Sequence, residues 1–573
     1  MILQALCQYY ERKATDPQNA LAPEGFEQKE IPFVIVLDSN GSVLEIEDTR
    51  EGEGKKRRAR SFLVPQGVKK TSGVAANVLW DAAEYALGVD TRGKPDRVQQ
   101  QHDAFRFRIQ NELSAVREDA GIRALVRCLD TLDLALLERF PAWEEIKATN
   151  PVVTFRLVDD LELICQRPAV VKELSSATTA SVSASICLIS GEMDATERLH
   201  SSIKGVWGAQ TAGANIVSFN LPAFNSWGKE QGDNAPVGKK AAFAYTTALN
   251  HLLRKDSRQR MQVGDASTVF WSEKSSEMEN QFSLFFQDSP KDDPDSGTEA
   301  VRNLFSSVGN GAYTGPDGNL RFYILGLAPN AARIAVRFWH VATVAEVAEQ
   351  VIRYFDELDI AGREKYGWPS LFRLLVNTAL QEKADNIPPN LAGDTMRAIL
   401  EDRPFPAMLL QAAIRRCRAS QSVNYYRAAL IKAVLNRSIR KHQSNEKELT
   451  VALDTTNPNP GYRLGRLFAV LEKIQEEANP GLNATIRDRF YGAASATPVT
   501  VFANLLKLKN HHLAKLDKPG RKTNFEKLIG EIMAGLNGFP AHLPLPEQGF
   551  FAIGYYHQRQ DFYTRKTESA QGE

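Results

Sequence analysis

Clusters of lysine and arginine are the residues of this chain whose types and spacing most clearly suggest chemistry. Between residues 55 and 70 there are seven basic side chains and no acidic one, and small or hydroxyl-bearing residues follow at 71–73. Each cation that neutralises a phosphate releases condensed counterions, so this segment is typical of a surface that binds a nucleic-acid backbone. Small residues favour close approach to a phosphate or entry into a narrow minor groove. A solvated loop that keeps the protein soluble is the alternative interpretation.

A second basic segment lies near the end of the chain, where nine basic residues and three acidic ones fall between Arg487 and Lys527. An acidic stretch, with eight carboxylates between Glu273 and Glu299, helps to balance the basic segments, and the formal net charge is +1. The near-zero net charge therefore results from separate basic and acidic segments, and it does not argue against a nucleic-acid partner.

Motifs for catalysis or cofactor binding are missing from the sequence. The segment 232–240 imitates a phosphate-binding P-loop, but five residues separate its glycines, and Lys240 stands where a serine or threonine would bind magnesium. Neither HExxH nor GxSxG occurs, the five cysteines are scattered, and the adjacent His511 and His512 would diverge on a helix. We expect a protein that is not an enzyme and that needs no metal and no cofactor.

Aromatic residues are a further candidate for nucleic-acid contact, because exposed rings stack on unpaired bases. Most of them are expected in the core instead. The candidates are Phe219, Phe224, Trp227, Phe243, Tyr245, Tyr555 and Tyr556.

The elements that must position these groups are strands and helices in the first part of the chain. Asp38-Ser39-Asn40-Gly41 between two apolar runs predicts a β-hairpin, because asparagine and glycine tolerate positive φ. Alternating patterns predict a second strand pair, 153–157 with 161–165, and a third, 321–327 with 333–339. In the last strand Ile334, Val336 and Phe338 are predicted to share one core-facing side.

From about residue 344 the apolar spacing is that of helices only, as in Leu464, Leu467 and Leu471. Segments 287–297 and 441–461 look like loops or boundaries between these elements. The predicted fold class is α+β, with a mixed strand and helix region followed by an all-α helical bundle. A chain of 573 residues exceeds a single hydrophobic core, and we place three regions at 1–342, 343–450 and 451–573.

The first residues lack the basic start and long apolar stretch of a signal peptide, and no segment is apolar enough to span a bilayer. We therefore expect a cytoplasmic protein that does not contact a membrane.

Several strings of this sequence, in the same order, resemble one protein family nearly from end to end. The family is the large subunit, "Cas eight", of the type I-C CRISPR surveillance complex (Cascade). Long strings in the right order are far more specific than a short motif. The matching strings are residues 1–6, 73–81, 204–220, 228–232, 242–250, 324–333, 483–489 and 547–560.

The resemblance implies a division of labour in which a guide RNA reads the target and this subunit reads a short adjacent motif in double-stranded DNA. It also implies that the subunit is not a nuclease, that it helps to open the duplex, and that it holds the displaced strand. The partners implied are prokaryotic: the CRISPR RNA, the backbone subunit "Cas seven", the subunit "Cas five", the small subunit "Cas eleven", target DNA, and the helicase-nuclease "Cas three".

The resemblance also assigns residues by position. Motif reading is assigned to Lys70, Thr71, Ser72, Gly73 and Asn77, with Gly208, Gln210, Thr211 and Asn215 as a second loop. Phosphate contacts are assigned to Lys55, Lys56, Arg57, Arg58, Arg60 and Lys69. Contacts to the displaced strand are assigned to Arg487, Arg489, Lys507, Lys509, Lys515, Lys518, Arg521 and Lys522.

The sequence departs from the family pattern after Gly73, where Val74-Ala75-Ala76 replaces the expected Ile-Lys-Pro, so one lysine is missing. In this family the small subunit is made from an internal start within the large-subunit gene. Val451 is a plausible start of this kind if its codon is GTG. Its product would be residues 451–573, and a single full-length band from the gene would contradict this hypothesis.

Two other function classes stay open from the sequence. One is an RNA- or DNA-processing nuclease subunit of the CRISPR system, because a basic protein with scattered histidines can hide a metal-free site. Labelled RNA and DNA incubated with the protein would reveal it. The other is a scaffold that binds only proteins, for which a DNA titration at two salt concentrations would show no steep slope.

Overall fold

The structure, a computed structural model, describes residues 1–16, 21–52, 57–68, 70, 73–177, 184–219 and 221–564. In this part of the chain, strands occur only up to Thr343 and helices alone follow, which confirms the predicted α+β class. The chain divides into two compact units. Unit 1 comprises Met1–Ile203 and Ala212–His251, and unit 2 comprises Lys204–Thr211 and Leu252–Glu573.

Unit 1 is built from short strands and helices. The strands are β1 (Phe26–Glu30), β2 (Phe33–Leu37), β3 (Val43–Asp48), β4 (Ser61–Pro65), β5 (Trp80–Ala82), β6 (Val152–Leu157), β7 (Ala184–Ile186) and β8 (Met193–Ala195). The helices are α1 (Ile2–Ala14), α2 (Ala83–Ala86), α3 (Pro95–Glu112), α4 (Ala120–Thr131), α5 (Trp143–Thr149), α6 (Pro168–Ala177) and α7 (Lys239–Leu252).

The centre of unit 1 is a four-stranded sheet in the order β3-β2-β6-β5. Strands β2 and β3 form the predicted hairpin, with Phe33 opposite Asp48, and Gly41 in its turn has a φ of +90°. Every residue of β2 is buried, because α3 and α4 contribute side chains such as Phe105 and Leu125 to the same core.

The predicted pairing of 153–157 with 161–165 is wrong. Strand β6 pairs instead with β2 in parallel and with β5 antiparallel. Only an isolated bridge joins Arg156 to Leu163, and Ile164–Gln166 is a turn of 3-10 helix. The alternating pattern failed as a predictor because Leu163 and Cys165 are buried without belonging to a strand.

Unit 2 begins with a second four-stranded sheet and continues as helices. The strands, in the spatial order β12-β11-β10-β9, are β9 (Arg260–Val263), β10 (Ala266–Ser272), β11 (Arg321–Asn330) and β12 (Arg333–Thr343). The helices are α8 (Met278–Gln281), α9 (Ser296–Gly309), α10 (Val344–Leu358), α11 (Arg363–Tyr366), α12 (Leu371–Thr378), α13 (Pro389–Leu400), α14 (Ala407–Ser420), α15 (Tyr425–Lys441), α16 (Pro460–Ala478), α17 (Ile486–Ala496), α18 (Phe502–Ala514), α19 (Pro519–Met533) and α20 (Leu545–Tyr563).

The hairpin of β11 and β12 is confirmed, but one part of its predicted face is wrong. Ile334 and Phe338 are buried, whereas the side chain of Val336 is 41% exposed. The register shifts between Gly326 and Leu327, and a strand that slips by one residue sends a side chain to the other face.

The sheet of unit 2 shares its core with the helices, since Phe270 and Phe322 belong to the same buried cluster as Val347 and Leu471. The boundary between the two compact units therefore lies between His251 and Leu252, and the strands that follow belong with the helices. The three regions at 1–342, 343–450 and 451–573 remain a prediction about separately folding parts. The loop at 441–461 is confirmed, because α15 ends at Lys441 and α16 begins at Pro460.

Helices α16 and α20 form the tightest contact of the bundle. A Cβ atom built on Gly465 would lie 2.0 Å from the carbonyl oxygen of Phe551, and one built on Gly554 would lie 2.0 Å from that of Tyr462. Only glycine allows the two backbones to approach this closely.

His557 lies inside this contact, where its Nδ1 is 2.9 Å from the hydroxyl of Tyr462. Burial lowers the pKa of His557 to about 3 from 6.5. The unfolded chain therefore binds a proton at a pH where the folded chain does not, so this contribution to stability is complete above about pH 6.5 and decreases towards pH 3.

We expect the free energy of unfolding to fall by about 1.4 kcal/mol per pH unit from this histidine between about pH 6 and 4. Denaturant titrations of the wild-type protein and of His557→Gln, each at pH 7.5 and pH 5, measure the effect. The variant should lose roughly 2 kcal/mol less stability on acidification. Equal losses in the two proteins would show that His557 is protonated in the folded state.

Candidate nucleic-acid interface

The first basic segment leads into β4, which pairs with β1 as a two-stranded sheet in unit 1. Arg57 Nη2 lies 2.6 Å from Asp48 Oδ2, and Arg60 Nη2 lies 3.8 Å from Glu51 Oε1. Arg58 is exposed and makes no ion pair within the described part of the chain. Arg58 is therefore the most available of the three arginines of this segment for a phosphate. Lys55, Lys56, Lys69, Thr71 and Ser72 lie outside the described residues.

Asp48 forms ion pairs with both Arg50 and Arg57. The hydrogen bond from the guanidinium of Arg50 is the largest cause that lowers the pKa of Asp48, to about 2. The carboxylate is thus ionised at neutral pH and shared between Arg50 and Arg57, and a phosphate that binds Arg57 must compete with it.

Lys70 and Asn77 are both bound by a buried residue, Asp81. Lys70 Nζ lies 2.5 Å from Asp81 Oδ1 and 3.7 Å from the centre of the Tyr85 ring. Asp81 Oδ2 accepts a hydrogen bond of 2.8 Å from the backbone N–H of Asn77. One carboxylate therefore fixes both ends of the segment assigned to motif reading.

Within this segment Asn77 is buried, and its Oδ1 accepts a hydrogen bond of 3.0 Å from the backbone N–H of Val68. Gly73 is exposed, has a φ of +91°, and has no atom within 4 Å of the place where a Cβ would stand. The open backbone at Gly73 is the part of the segment that can be approached closely. The assignment of base reading to Asn77 stays a prediction.

The second predicted loop is divided between the two units. Gly208, Gln210 and Thr211 belong to unit 2 and are exposed. Asn215 belongs to unit 1, where its Nδ2 donates hydrogen bonds to the carbonyl oxygens of His200 and Ser201, at 2.8 and 3.2 Å. The side-chain N–H groups of Asn215 are thus used in hydrogen bonds within unit 1.

The eight basic residues assigned to the displaced strand fall into two groups. Four of them are engaged within unit 2: Arg487 with Glu472 and Asp488, Arg521 with Glu477, Lys515 with Asn479, and Lys522 with the carbonyl oxygen of Ala514. The others make no ion pair with any described residue, and we call them the open cation set. The set consists of Arg489, Lys507, Lys509 and Lys518.

Two further exposed arginines were not among the contacts predicted from the sequence. Arg415 and Arg418 are exposed near the end of α14, and Gln421 Nε2, just beyond that helix, donates to the carbonyl oxygen of Asp488 on α17. The structure thus brings the end of α14 to the helix that carries Arg489. The string Arg-Arg-Cys-Arg at 415–418 could have indicated this cluster of positive charge. Arginines near the end of a helix have a second explanation, because they also stabilise the negative end of the helix dipole.

Aromatic candidates are mostly buried, as expected: Phe243, Tyr245, Tyr555 and Tyr556 all belong to the core. Trp227 is an exception, because it is almost fully exposed.

Asp81, which binds Lys70 and Asn77, was not identified from the sequence, since a single aspartate after a tryptophan matches no motif.

Among the described residues no three histidine, cysteine, aspartate or glutamate side chains are grouped closely enough to hold a metal ion. The described helices also include none with the length and apolar character needed to cross a membrane.

Among the described residues, Arg58 in unit 1 and the open cation set on the helices of unit 2 make no ion pair, so these cations are available to an anionic partner. The comparison with known families gives the class of protein. The chain belongs to the CRISPR-associated protein family Cas_Csd1, whose model matches residues 6–563. This match confirms the resemblance to the type I-C large subunit. No match was found among the curated proteins.

Proposed function

We propose that this protein is the non-catalytic large subunit of type I-C Cascade and recognises a short motif in double-stranded DNA beside the target. It then helps to open the duplex, holds the displaced strand, and recruits the helicase-nuclease "Cas three". The observation that carries the proposal is the family match over residues 6–563. The contacts of Asp81 with Lys70 and with the backbone of Asn77, on either side of the open Gly73, are consistent with it.

The partners in this proposal are the CRISPR RNA and the subunits "Cas seven", "Cas five" and "Cas eleven", in the cytoplasm of a prokaryote. Base pairing with the guide selects the target, while the protein reads the motif from the groove and the backbone. A buried carboxylate that fixes Lys70 and Asn77 supports this role, because base reading needs donors and acceptors held in one geometry.

The test is a mobility shift with the reconstituted RNA-guided complex and duplexes that differ only in the adjacent motif. We expect Lys70→Ala and Asn77→Ala to reduce discrimination between motifs by about tenfold, because a specific base contact contributes about 1–3 kcal/mol. Lys94→Ala and Asn111→Ala, at exposed positions of unit 1 outside the segment, are the controls for side-chain type. Because Lys70 pairs with buried Asp81 and Asn77 is itself buried, the thermal unfolding of both test variants is measured beside the binding.

A uniform loss of affinity for all motifs would indicate backbone contact in place of base reading. Unchanged affinity and unchanged preference in both variants would contradict the assignment of this segment. A complex that binds DNA without any dependence on salt would contradict the proposed function as a whole.

A further inference from the structure

Trp227 lies at the tip of a tight turn in unit 1. Ser226 and Lys229 form an isolated antiparallel bridge, and the backbone N–H of Lys229 donates to the carbonyl oxygen of Ser226 at 2.9 Å. The two residues between them, Trp227 and Gly228, have φ values of +54° and +68°. Positive φ at both central positions is the geometry of a type I′ turn.

A tryptophan is an unfavourable residue for this place. Turns of this type favour asparagine, aspartate and glycine, because a bulky side chain in the left-handed region crowds its own backbone. Gly228 fits the turn, whereas Trp227 is strained in it. Strain of this kind persists only where the surroundings impose it, and it is concentrated at functional positions.

The surroundings that impose the turn come mainly from Asn234. Its Oδ1 accepts a hydrogen bond of 3.1 Å from the backbone N–H of Ser226. Its Nδ2 donates to the carbonyl oxygens of Lys229 and Gln231, at 3.2 and 3.0 Å. A single amide therefore clamps both arms of the turn, so the tryptophan is presented on a fixed backbone.

The indole ring itself adds little to the packing of the described residues. Trp227 is 96% exposed, and its ring makes no contact with an aromatic ring or a cation in the described part of the chain. Its neighbours Asn225, Ser226, Lys229 and Glu230 are exposed and polar. A tryptophan at the centre of a protein interface is surrounded by further apolar residues. Stacking on a nucleobase needs only one face of one ring, and the isolated Trp227 meets that requirement.

We infer that Trp227 stacks on an unpaired nucleobase of the opened target DNA. The inference rests on the proposed function, which supplies a duplex that is being separated. The turn fixes the backbone that carries the ring before DNA arrives, so little backbone freedom is lost on binding, and the exposed Lys229 in the same turn offers a cation to the adjoining phosphate. Stacking on a base face is tolerant of sequence, so the contact would stabilise the opened state without selecting a base.

The decisive variant is Trp227→Asn, because asparagine suits the left-handed position and removes only the ring. Its thermal unfolding midpoint should equal or exceed that of the wild type. In the assembled RNA-guided complex, we expect it to bind target DNA about tenfold more weakly, while Trp227→Phe keeps most of the affinity. Leu161→Asn, another fully exposed apolar side chain of unit 1, is the matched control and should have no effect.

A base-specific measurement completes the test. Target duplexes that carry 2-aminopurine at single positions near the adjacent motif report stacking as a loss of fluorescence. At one position the wild-type complex should quench the probe, and Trp227→Asn should restore its emission. Equal affinity and equal emission at every position would overturn the role of Trp227 alone. A wild-type complex that binds no target DNA would overturn the proposed function and this inference together.

Discussion

Replacing the open cation set (Arg489, Lys507, Lys509 and Lys518) with alanine is expected to lower the affinity of the assembled complex for target DNA by about a hundredfold at physiological salt. Each cation that contacts a single strand contributes about 0.7 to the slope of log affinity against log salt, so the slope should fall by up to about 3. These four side chains make no ion pair with any described residue, and a phosphate can bind them without displacing a carboxylate.

The engaged residues behave differently. Arg487 and Arg521 already pair with Glu472 and Glu477, so their replacement would disturb the bundle as well as any strand that it holds. Replacing them would therefore not separate a loss of DNA contact from a loss of stability, although both residues belong to the second basic segment.

The matched control replaces four exposed cations elsewhere in unit 2, which make no ion pair in the described part of the chain. They are Lys255, Arg258, Lys274 and Lys291. The change in net charge is the same in the two variants, so a local contact predicts a loss only for the open cation set. Filter-binding titrations at several salt concentrations measure both, and the same slope change in both would show that the total charge alone is responsible.

Glu357→Ala is expected to destabilise unit 2 by about 3–5 kcal/mol, because it leaves a buried guanidinium without its counter-charge. The side chains of Glu357 and Arg437 are 3% and 1% exposed. Arg437 Nε lies 3.0 and 2.9 Å from the two carboxylate oxygens, and its Nη1 donates to the carbonyl oxygen of Ala398 at 2.8 Å. Arg440 pairs with the same carboxylate from the next turn of α15.

Chemical denaturation followed by circular dichroism measures this loss. The matched control is Glu349→Ala on the same helix, α10, where Glu349 pairs with Arg353 at 3.2 Å at an exposed position. An exposed pair contributes at most about 1 kcal/mol. If the two substitutions reduced the free energy of unfolding equally, the buried pair would be no more important than the surface one.

Local patterns predicted those parts of the fold that depend on neighbouring residues. The Asn-Gly turn fixed the hairpin of β2 and β3, because positive φ is a property of the turn residues themselves. The strand pair 321–327 with 333–339 and the change to helices near residue 344 followed equally from spacing, although the turn between the strands lies at 331–332, beyond the predicted Pro329–Asn330. The pairing of 161–165 failed, because the partners of β6 come from β2 and β5, far away in the sequence.

The sequence by itself determined the α+β class, the basic segments and the family, since these follow from the order of residues along the chain. Only the tertiary structure decided which cations stay available, because Glu472 and Glu477 reach Arg487 and Arg521 from another helix. It also decided that Asp81 holds Lys70 and that Trp227 stands in solvent. Charge and exposure of a side chain depend on what packs against it, and packing partners are set by the fold rather than by neighbours in sequence.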